Sequence, residues 1–441
     1  MDYQEAIEYI NNIQGAAADG YSLKQVTKLA ELMGRPDRKL RIIHIAGTNG
    51  KGSVGAYIAN GLAMSGYTVG RYVSPTLLGY RERIQKISGS PFGTDEEWIS
   101  REDVADWVEN LSLQSSVMES SGYGRPSAFE LETVMAFCQM LRWHVDVAVI
   151  EAGMGGAFDA TNIVEKPSLV VFSRISLDHT AYLGRTLREV AAQKFGIIKE
   201  GAAVTSSCQE PEIIEQLREI CQRRGQRLCI ADSGQIRQMS FSLEGTSFFY
   251  RGYHFELGQL GCYQPENAIT ACEALWQLAA DGFYKINIAS IQLAFRQTRW
   301  MGRFEWISRN PFLIVDGAHN PAGAAALKKS LMTYFPAQRF TYIFGVFRDK
   351  DYQGILTEML PLAGQIFTVR AAGSRGMDSE ELAEIVRERA GEYRRQIPVK
   401  SCPSIAAALQ RAGRGQKIIV FGSLSFLYEV YRYFDTDRYI W

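Results

Sequence analysis

A chain of 441 residues exceeds what one hydrophobic core comfortably organises, so two domains are the expectation. Hydrophobic residues at 46% and charged residues at 22% are those of an ordinary globular protein, and 48 basic against 48 acidic side chains leave a formal net charge of zero. That balance gives no global argument for a nucleic-acid or anionic-membrane partner, so an anionic ligand must be held by local charge.

No apolar run approaches the ~20 residues needed to span a bilayer. Met1 to Ile10 carries acidic residues and lacks the basic-then-apolar layout of a signal peptide. The seven cysteines are scattered without a C-x-x-C pair, which predicts reduced thiols in a cytoplasmic protein without a structural zinc site.

Residues 1–40 read as helical, ending near Arg35-Pro36. The apolar run Ile42-Ile43-His44-Ile45-Ala46 is a strand. It opens onto Gly47-Thr48-Asn49-Gly50-Lys51-Gly52-Ser53, followed by a helix beginning near Ser53 and closed by Gly66. Small residues let the backbone curl so that N–H groups face a phosphate, and the helix adds its unpaired amides and dipole. Lys51 supplies a point charge, and the Ser53 hydroxyl is placed for Mg²⁺. Ile45 and Gly52 depart from the strict phosphate-loop pattern, which wants Gly and Ser/Thr there. The stretch is a variant nucleotide-phosphate site.

Val69 to Val73 is the next strand, running into Ser74-Pro75-Thr76, and strand–helix–strand at this spacing is a parallel crossover. Residues 79–100, rich in Gly, Ser and charge, read as a mobile loop. Arg101 to Met118 and Phe129 to Trp143 read as helices, the second more buried. Val145 to Ile150 is nearly all apolar, as in the middle of a sheet covered on both faces, and ends in Glu151 before a glycine-rich turn. Leu169 to Phe172 opens onto Asp178-His179. A helix over 186–198, a strand over 203–206, a helix over 210–225, an antiparallel patch over 236–258 and a helix from Gln264 to Ala280 follow.

Near Trp300 a new series begins, with strands at 312–315, 340–344, 366–369 and 418–421. Helices near 321–334, 352–361, 379–393 and 404–412 alternate with them. The fold class is therefore α/β. An N-terminal phosphate-loop domain with a mainly parallel sheet spans 1–299, and a smaller C-terminal Rossmann-like α/β domain spans 300–441.

Ligands of parallel sheets sit beyond the carboxyl ends of the strands, so Lys51, Ser74, Glu151 and Asp178-His179 should converge. Glu151 stands where phosphate-loop enzymes put an acidic magnesium partner; otherwise it is a solvated strand-end carboxylate. His179 is either a magnesium ligand or a capping histidine. Lys194, taken alone, reads most simply as a solvated charge on a helix. Val315-Asp316-Gly317-Ala318-His319-Asn320-Pro321 suits a ligand contact, or an Asx-type turn with a helix cap.

In this order and spacing these residues resemble the folylpolyglutamate synthase/dihydrofolate synthase family, within the wider Mur-type amide ligases. Its markers are the loop 47–53, Ser74-Pro75, Glu82-Arg83-Ile84, Gly155-Gly156 and Asp159-Ala160-Thr161-Asn162. They continue with Asp178-His179, Lys194, Gln264 with Asn267-Ala268, Gly302-Arg303 and Asp316 to Pro321. The resemblance runs through almost the whole length.

The resemblance implies that Lys51 and the loop Gly47 to Ser53 bind ATP phosphates. It implies that Ser53, Ser74, Glu151 and His179 hold Mg²⁺ in two sites, and that Lys194 carries a carbamate. Lys51, Lys194 and His179 would be the catalytic set. Asn267, Arg303, Asp316 and His319 would contact ATP, the last two from the second domain. Phe129 and Asp159 match positions near the substrate pocket. The implied reaction phosphorylates a carboxylate on folate or dihydropteroate, and the amine of L-glutamate then displaces phosphate; the protein would act as a monomer.

The chain departs from the family pattern at Thr76, Ala157, Gln193, Met301 and Tyr263. None of these is an implied phosphate or metal contact, and several bear on the acceptor. A related Mur-type ligase with a non-folate carboxylate acceptor is therefore the alternative. A nucleotide-binding sensor would not need the metal set, and a small-molecule kinase would not need residues 316–321.

Overall fold

A computed structural model describes residues 1–13, 22–90, 92–392, 396–413 and 415–434. Residues 14–21 of the expected N-terminal helical region and residue 393 of the helix expected over 379–393 lie outside the described residues. The chain forms two compact units. One holds Met1–Ser74, Gly79–Ile236 and Glu266–Thr298, and the other Pro75–Leu78, Arg237–Pro265 and the chain from Arg299 onward.

The first unit is built on β1 (Ile42–Ala46), β2 (Val69–Tyr72), β3 (Ile84–Ser90), β4 (Gly93–Trp98), β5 (Val147–Glu151), β6 (Leu169–Phe172), β7 (Ala203–Ser206) and β8 (Leu228–Ile230). They form one sheet in the order β4-β3-β2-β5-β1-β6-β7-β8. The β2, β5, β1, β6, β7 and β8 neighbours are all parallel, and β3 and β4 add an antiparallel edge. β1, β2, β5 and β6 are buried at every position, which accounts for their near-continuous apolar sequences.

Helices cover both faces. On one, the helix Lys51–Met64 lies so close that a Cβ on Gly55 would come 3.4 Å from Ile45. On the other, the helix Ala128–Arg142 lies against Gly70, where a Cβ would come within 2.7 Å of Met140. Ser127 and Glu130 form a reciprocal capping box at its start.

The stretch read as a mobile loop, 79–100, instead contains the hairpin β3–β4. Its glycine and serine content reflects packing: a Cβ on Gly89 would come 2.2 Å from the Ala63 carbonyl oxygen. Of its charges, Asp95, Glu96 and Glu97 lie on the largely exposed strand Gly93–Trp98, whereas Glu82 is buried before β3. The sequence reading also passed over β8 and the helix Ile288–Gln297. That helix packs on Lys51–Met64 through Tyr57 and Phe295, whose ring centroids are 4.8 Å apart.

The second unit holds an antiparallel meander of β9 (Arg237–Ser242), β10 (Gly245–Tyr250) and β11 (Tyr253–Leu257). Its main sheet consists of β12 (Glu305–Arg309), β13 (Phe312–Asp316), β14 (Phe340–Phe344), β15 (Ala363–Thr368), β16 (Val399–Ser401) and β17 (Lys417–Phe421), ordered β12-β13-β17-β14-β15-β16. Every pairing in that sheet is parallel except β12 with β13. β12, β16 and the closing helix Leu427–Tyr433 were not read from the sequence.

A single cut at 299/300 omits two exchanges of chain: Pro75–Leu78 and residues 237–265 belong with the second unit. The meander's partners are there, with Thr246 Oγ1 3.2 Å from the Tyr334 hydroxyl and Phe241 edge-on to the same ring. Among the described residues no helix is long and apolar enough to cross a membrane. All seven cysteines are free thiols.

Candidate active site

The order β2-β5-β1-β6 puts four carboxyl ends side by side. Lys51 follows β1, Ser74 follows β2, Glu151 ends β5, and Asp178-His179 follow β6. Neighbouring parallel strands that end together bring residues far apart in sequence to one edge.

The loop after β1 is shaped by its glycines. Gly50 (φ +91°) lies against Asn267, where a Cβ would come 2.5 Å from Oδ1. Gly47 (φ +154°) lies against Ser173, where a Cβ would come 2.0 Å from Oγ. Thr48 and Asn49 direct their N–H groups to the Arg174 carbonyl at 2.9 and 3.1 Å. These two amides are therefore turned away from any phosphate, which narrows the expectation drawn from the loop sequence. The first-turn amides of the helix Lys51–Met64, which lack intrahelical acceptors, are the ones left for an anion. Thr48 Oγ1 donates to Ser176 O at 2.9 Å, and Asn49 Nδ2 to Ser176 Oγ at 3.2 Å, pinning the loop to the segment after β6.

Lys51 Nζ lies 3.6 Å from Glu151 Oε1, so the loop cation and the strand-end carboxylate are paired at the sheet edge. The Ser53 side chain is buried one turn into the helix. The Ser74 hydroxyl oxygen is buried and makes no hydrogen bond among the described residues. His179 has a left-handed backbone (φ 50°) at the start of the short helix Thr180–Leu183, and its N–H donates to Asp178 Oδ1 at 2.8 Å. Among the described residues no three His, Cys, Asp or Glu side chains form a ready-made metal cluster. The two hydroxyls and the carboxylate are oxygen donors of the kind Mg²⁺ takes beside waters and substrate phosphates, and the His179 imidazole is the atypical member of the set. The unpartnered Ser74 oxygen fits such a donor set.

Lys194 is not a solvated charge. It is buried on the helix Leu187–Phe195, and its Nζ donates to the Gly47 carbonyl at 2.9 Å. Burial, then the nearby Lys51 charge, lowers its pKa from 10.5 to about 7, against the opposing pull of Asp178 and Asp159. The glycine-rich turn after β5 is tied to the same helix, with Ala157 N–H donating to Gln193 O at 2.7 Å. A Cβ on Gly156 would come 2.7 Å from the Lys194 carbonyl oxygen.

Asp159 is buried, with its carboxylate occupied by the chain around it. It accepts from Met154 N at 2.8 Å, Thr161 N at 3.1 Å and Thr161 Oγ1 at 2.5 Å. Burial raises its pKa, and those hydrogen bonds oppose the rise. Its immediate work is to shape the turn beside Lys194. Phe129 stands over Gly153, where a Cβ would come 2.6 Å from the ring.

In the second unit, Asp316 ends β13 and is buried. It accepts from the Tyr263 hydroxyl, Phe304 N and Ala318 N, each at 2.8 Å. Burial raises its pKa, and the Arg303 charge is the largest opposing influence. The Arg303 guanidinium lies over Gly317, where a Cβ would come 2.2 Å from Nη1. His319 Nδ1 is 2.8 Å from the Gly317 carbonyl oxygen, and Asn320 caps the helix Pro321–Tyr334 through Gly323 N at 2.8 Å. The Asx-cap reading thus holds for Asn320, while Asp316 anchors a buried network.

Sequence reasoning missed Arg71, a buried arginine whose Nη2 donates to the Gly52 carbonyl at 2.6 Å. The signal was available as a charged residue inside an otherwise apolar strand. It missed Ser173 as well, which only the fold places against Gly47.

Residues 302–424 match the model of the Mur ligase, glutamate ligase domain. The dihydrofolate synthase/folylpolyglutamate synthase of Bacillus subtilis is 33% identical over 381 residues, covering 82% of this chain and 84% of that protein. The folylpolyglutamate synthase of Mycobacterium tuberculosis, solved with ADP and AMPPCP, superposes with a TM-score of 0.84 at 28% identity over 98% of each chain. A complex of a folylpolyglutamate synthase with AMPPCP and folate superposes at 0.82 with 27% identity, over 98% of this chain and 99% of the other. The chain belongs to the dihydrofolate synthase/folylpolyglutamate synthase family.

Proposed function

We propose that the protein is an ATP-dependent ligase that joins L-glutamate to a folate, by extending a folate, by converting dihydropteroate to dihydrofolate, or both. The observation that carries this reading is the clustering of Lys51, Glu151 and the buried Lys194 around one glycine-rich loop at the carboxyl edge of the sheet.

A carboxylate is a poor acylating agent, so the γ-phosphate of ATP is first transferred to it. The resulting acyl phosphate is attacked by the glutamate amine, an amide forms, and phosphate leaves. The first-turn amides of the helix Lys51–Met64 orient the phosphates, and Lys51 offsets charge that builds as the carboxylate attacks. Ser53, Ser74, Glu151 and His179 are the residues that would hold Mg²⁺, in two sites. Bound there, the metal supplies charge neutralisation and template geometry. Asn267, which touches Gly50, and Arg303, Asp316 and His319 of the second unit are the further ATP-contacting candidates. Phe129 and Asp159 border the acceptor. Lys194, neutral in a large fraction near pH 7, is chemically able to add CO₂, and its carbamate would place an anion beside the loop.

Product mass spectrometry after incubation with ATP, Mg²⁺ and L-glutamate tests the reading, with dihydropteroate and a reduced monoglutamyl folate in separate tubes. A gain of one glutamyl unit on dihydropteroate, on the folate or on both assigns the activity. No gain on either acceptor, from protein that still binds ATP, rejects the folate reading and points to another carboxylate. Lys51→Ala should abolish ligation, and a variant with near-normal turnover would overturn the phosphate-loop assignment.

A further inference from the structure

Arg71 sits in the middle of β2, 2% exposed, beneath the first turn of the helix Lys51–Met64. Its Nη2 donates to the Gly52 carbonyl oxygen at 2.6 Å. Glu96, Glu151 and Glu82, opposite to it in sign, are among the charges that act on it. Gly55, one position past Val54, lies beside it: a Cβ there would stand 3.7 Å from Nη2 and 3.8 Å from Nε, at ordinary contact distance. Directly across the antiparallel register from Arg71 is Gln85, completely buried, whose amide nitrogen and oxygen make no hydrogen bond among the described residues. Residues opposite one another share a sheet face. A polar layer therefore lies under a phosphate loop where apolar side chains would pack more cheaply.

Taking a guanidinium out of water is costly even when it is paired, and an apolar residue of similar volume is often neutral or stabilising in its place. The charge accordingly needs a reason other than stability. The peptide joining Gly52 to Ser53 is planar and trans, so its C=O and N–H point in opposite directions. Drawing the Gly52 oxygen onto Arg71 therefore aims the Ser53 N–H the other way, toward the open end of the helix. The peptide lies in the first turn of the helix Lys51–Met64, where Gly52 has no side chain to restrict its backbone, so the bond from Arg71 adds to the helix in holding it. The same guanidinium interacts electrostatically with Glu151, which Lys51 approaches to 3.6 Å.

We infer that Arg71 is a positioning residue for nucleotide binding: it clamps the Gly52–Ser53 peptide from behind the phosphate loop and supplies positive charge beneath it. The inference deepens the ATP-ligase reading and rests on it only for the identity of the loop's ligand as a nucleotide phosphate.

The test measures ADP affinity by calorimetry with Mg²⁺ present, and the KM values for ATP and for the acceptor. Arg71→Met removes charge and clamp at similar volume, Arg71→Gln keeps a donor without the charge, and Arg71→Lys keeps the charge. Arg71→Met should weaken ADP binding about tenfold or more, in line with loss of a charge-assisted hydrogen bond, while the acceptor KM stays within about twofold. Arg71→Lys should recover part of that loss. If Arg71→Met does not fold, Arg71→Gln is judged by the same criteria. A folded Met or Gln variant that binds ADP within about twofold of the parent overturns the inference, as does an equal loss for ADP and acceptor. Failure of both to fold would mark Arg71 as purely structural. Because ADP binding is read directly, a wrong acceptor would leave this result intact.

Discussion

Lys194 Nζ donates to the carbonyl oxygen of Gly47 at 2.9 Å, so the buried lysine is fastened to the first residue of the phosphate loop. It reaches there from a helix 147 positions along the chain, and its burial makes the ammonium form costly. A lysine held near neutrality against a loop that binds anions is poised for chemistry on its amine.

That poise has a pH signature in stability. The folded pKa, about 7, lies below the ordinary 10.5, so between these values the unfolded chain holds a proton that the native chain has shed. Stability therefore rises with pH across this window, and the full penalty is present below about 7. Lys194→Met removes the penalty. The variant should exceed the parent in stability at about pH 7, on the order of a few kcal/mol, with the margin shrinking toward pH 10. Denaturant unfolding at the two ends of the window checks this, and a margin that does not change with pH would contradict it.

The same amine should take up CO₂. Isotopically labelled bicarbonate should give one carbamate resonance in the parent protein, absent in Lys194→Arg. Its intensity should fall below pH 7, because the neutral fraction drops about tenfold per unit there. A resonance that persists in the arginine variant would assign the carbamate elsewhere.

How far the sequence could be read depended on what kind of signal each residue carries. The strands 169–172 and 340–344 were bounded correctly because they are short, largely apolar runs punctuated by turns. The loop 47–53 was legible because glycine, lysine and serine spacing is local. The hairpin 84–98 was not, because the polar content of an exposed edge strand is indistinguishable from that of a loop. Lys194 was misread from local sequence alone, since its burial comes from packing against a loop formed far earlier in the chain. Tyr263 looked like a mere departure from the family pattern until its hydroxyl was seen on Asp316.

Gly50 offers a sharper test of the loop. Its φ of +91° favours glycine, and a Cβ would come 2.5 Å from Asn267 Oδ1. Gly50→Ala should therefore both strain the turn by about 1–2 kcal/mol and push Asn267 aside. The expected result is a rise of at least about tenfold in ATP KM with little change in acceptor KM. Wild-type ATP kinetics in this variant would mean that the loop relaxes freely, and would remove Asn267 from the nucleotide contacts.

Tyr263→Phe isolates the buried network of the second unit. The hydroxyl is one of three donors to Asp316, whose carboxylate is already driven toward protonation by burial. Removing one donor should destabilise the protein by about 1–3 kcal/mol and raise the Asp316 pKa further. With the folded pKa above 3.8 the native chain takes up its proton before the unfolded chain does, so the variant's deficit should be largest near neutral pH and shrink as the pH falls through the folded pKa. Denaturant unfolding at neutral and at acid pH checks this, and a deficit that is absent at neutral pH or grows in acid would contradict this placement of the hydrogen bond.

His319 and Asn320 are adjacent, yet their side chains make different contacts. Asn320 caps the helix Pro321–Tyr334 through Gly323 N, so Asn320→Ala should cost about 1 kcal/mol of stability. His319 Nδ1 pairs with the Gly317 carbonyl at 2.8 Å, a contact that fixes the ring beside the buried Asp316 turn. His319→Ala should leave stability within about 0.5 kcal/mol, because it removes neither the cap nor an Asp316 donor. Its cost should instead appear as a higher ATP KM or a lower kcat, with the acceptor KM held. Unfolding curves and two-substrate kinetics on both variants separate these effects. If Asn320→Ala changes ATP kinetics while His319→Ala changes only stability, the two roles are reversed and His319 leaves the nucleotide-contacting set.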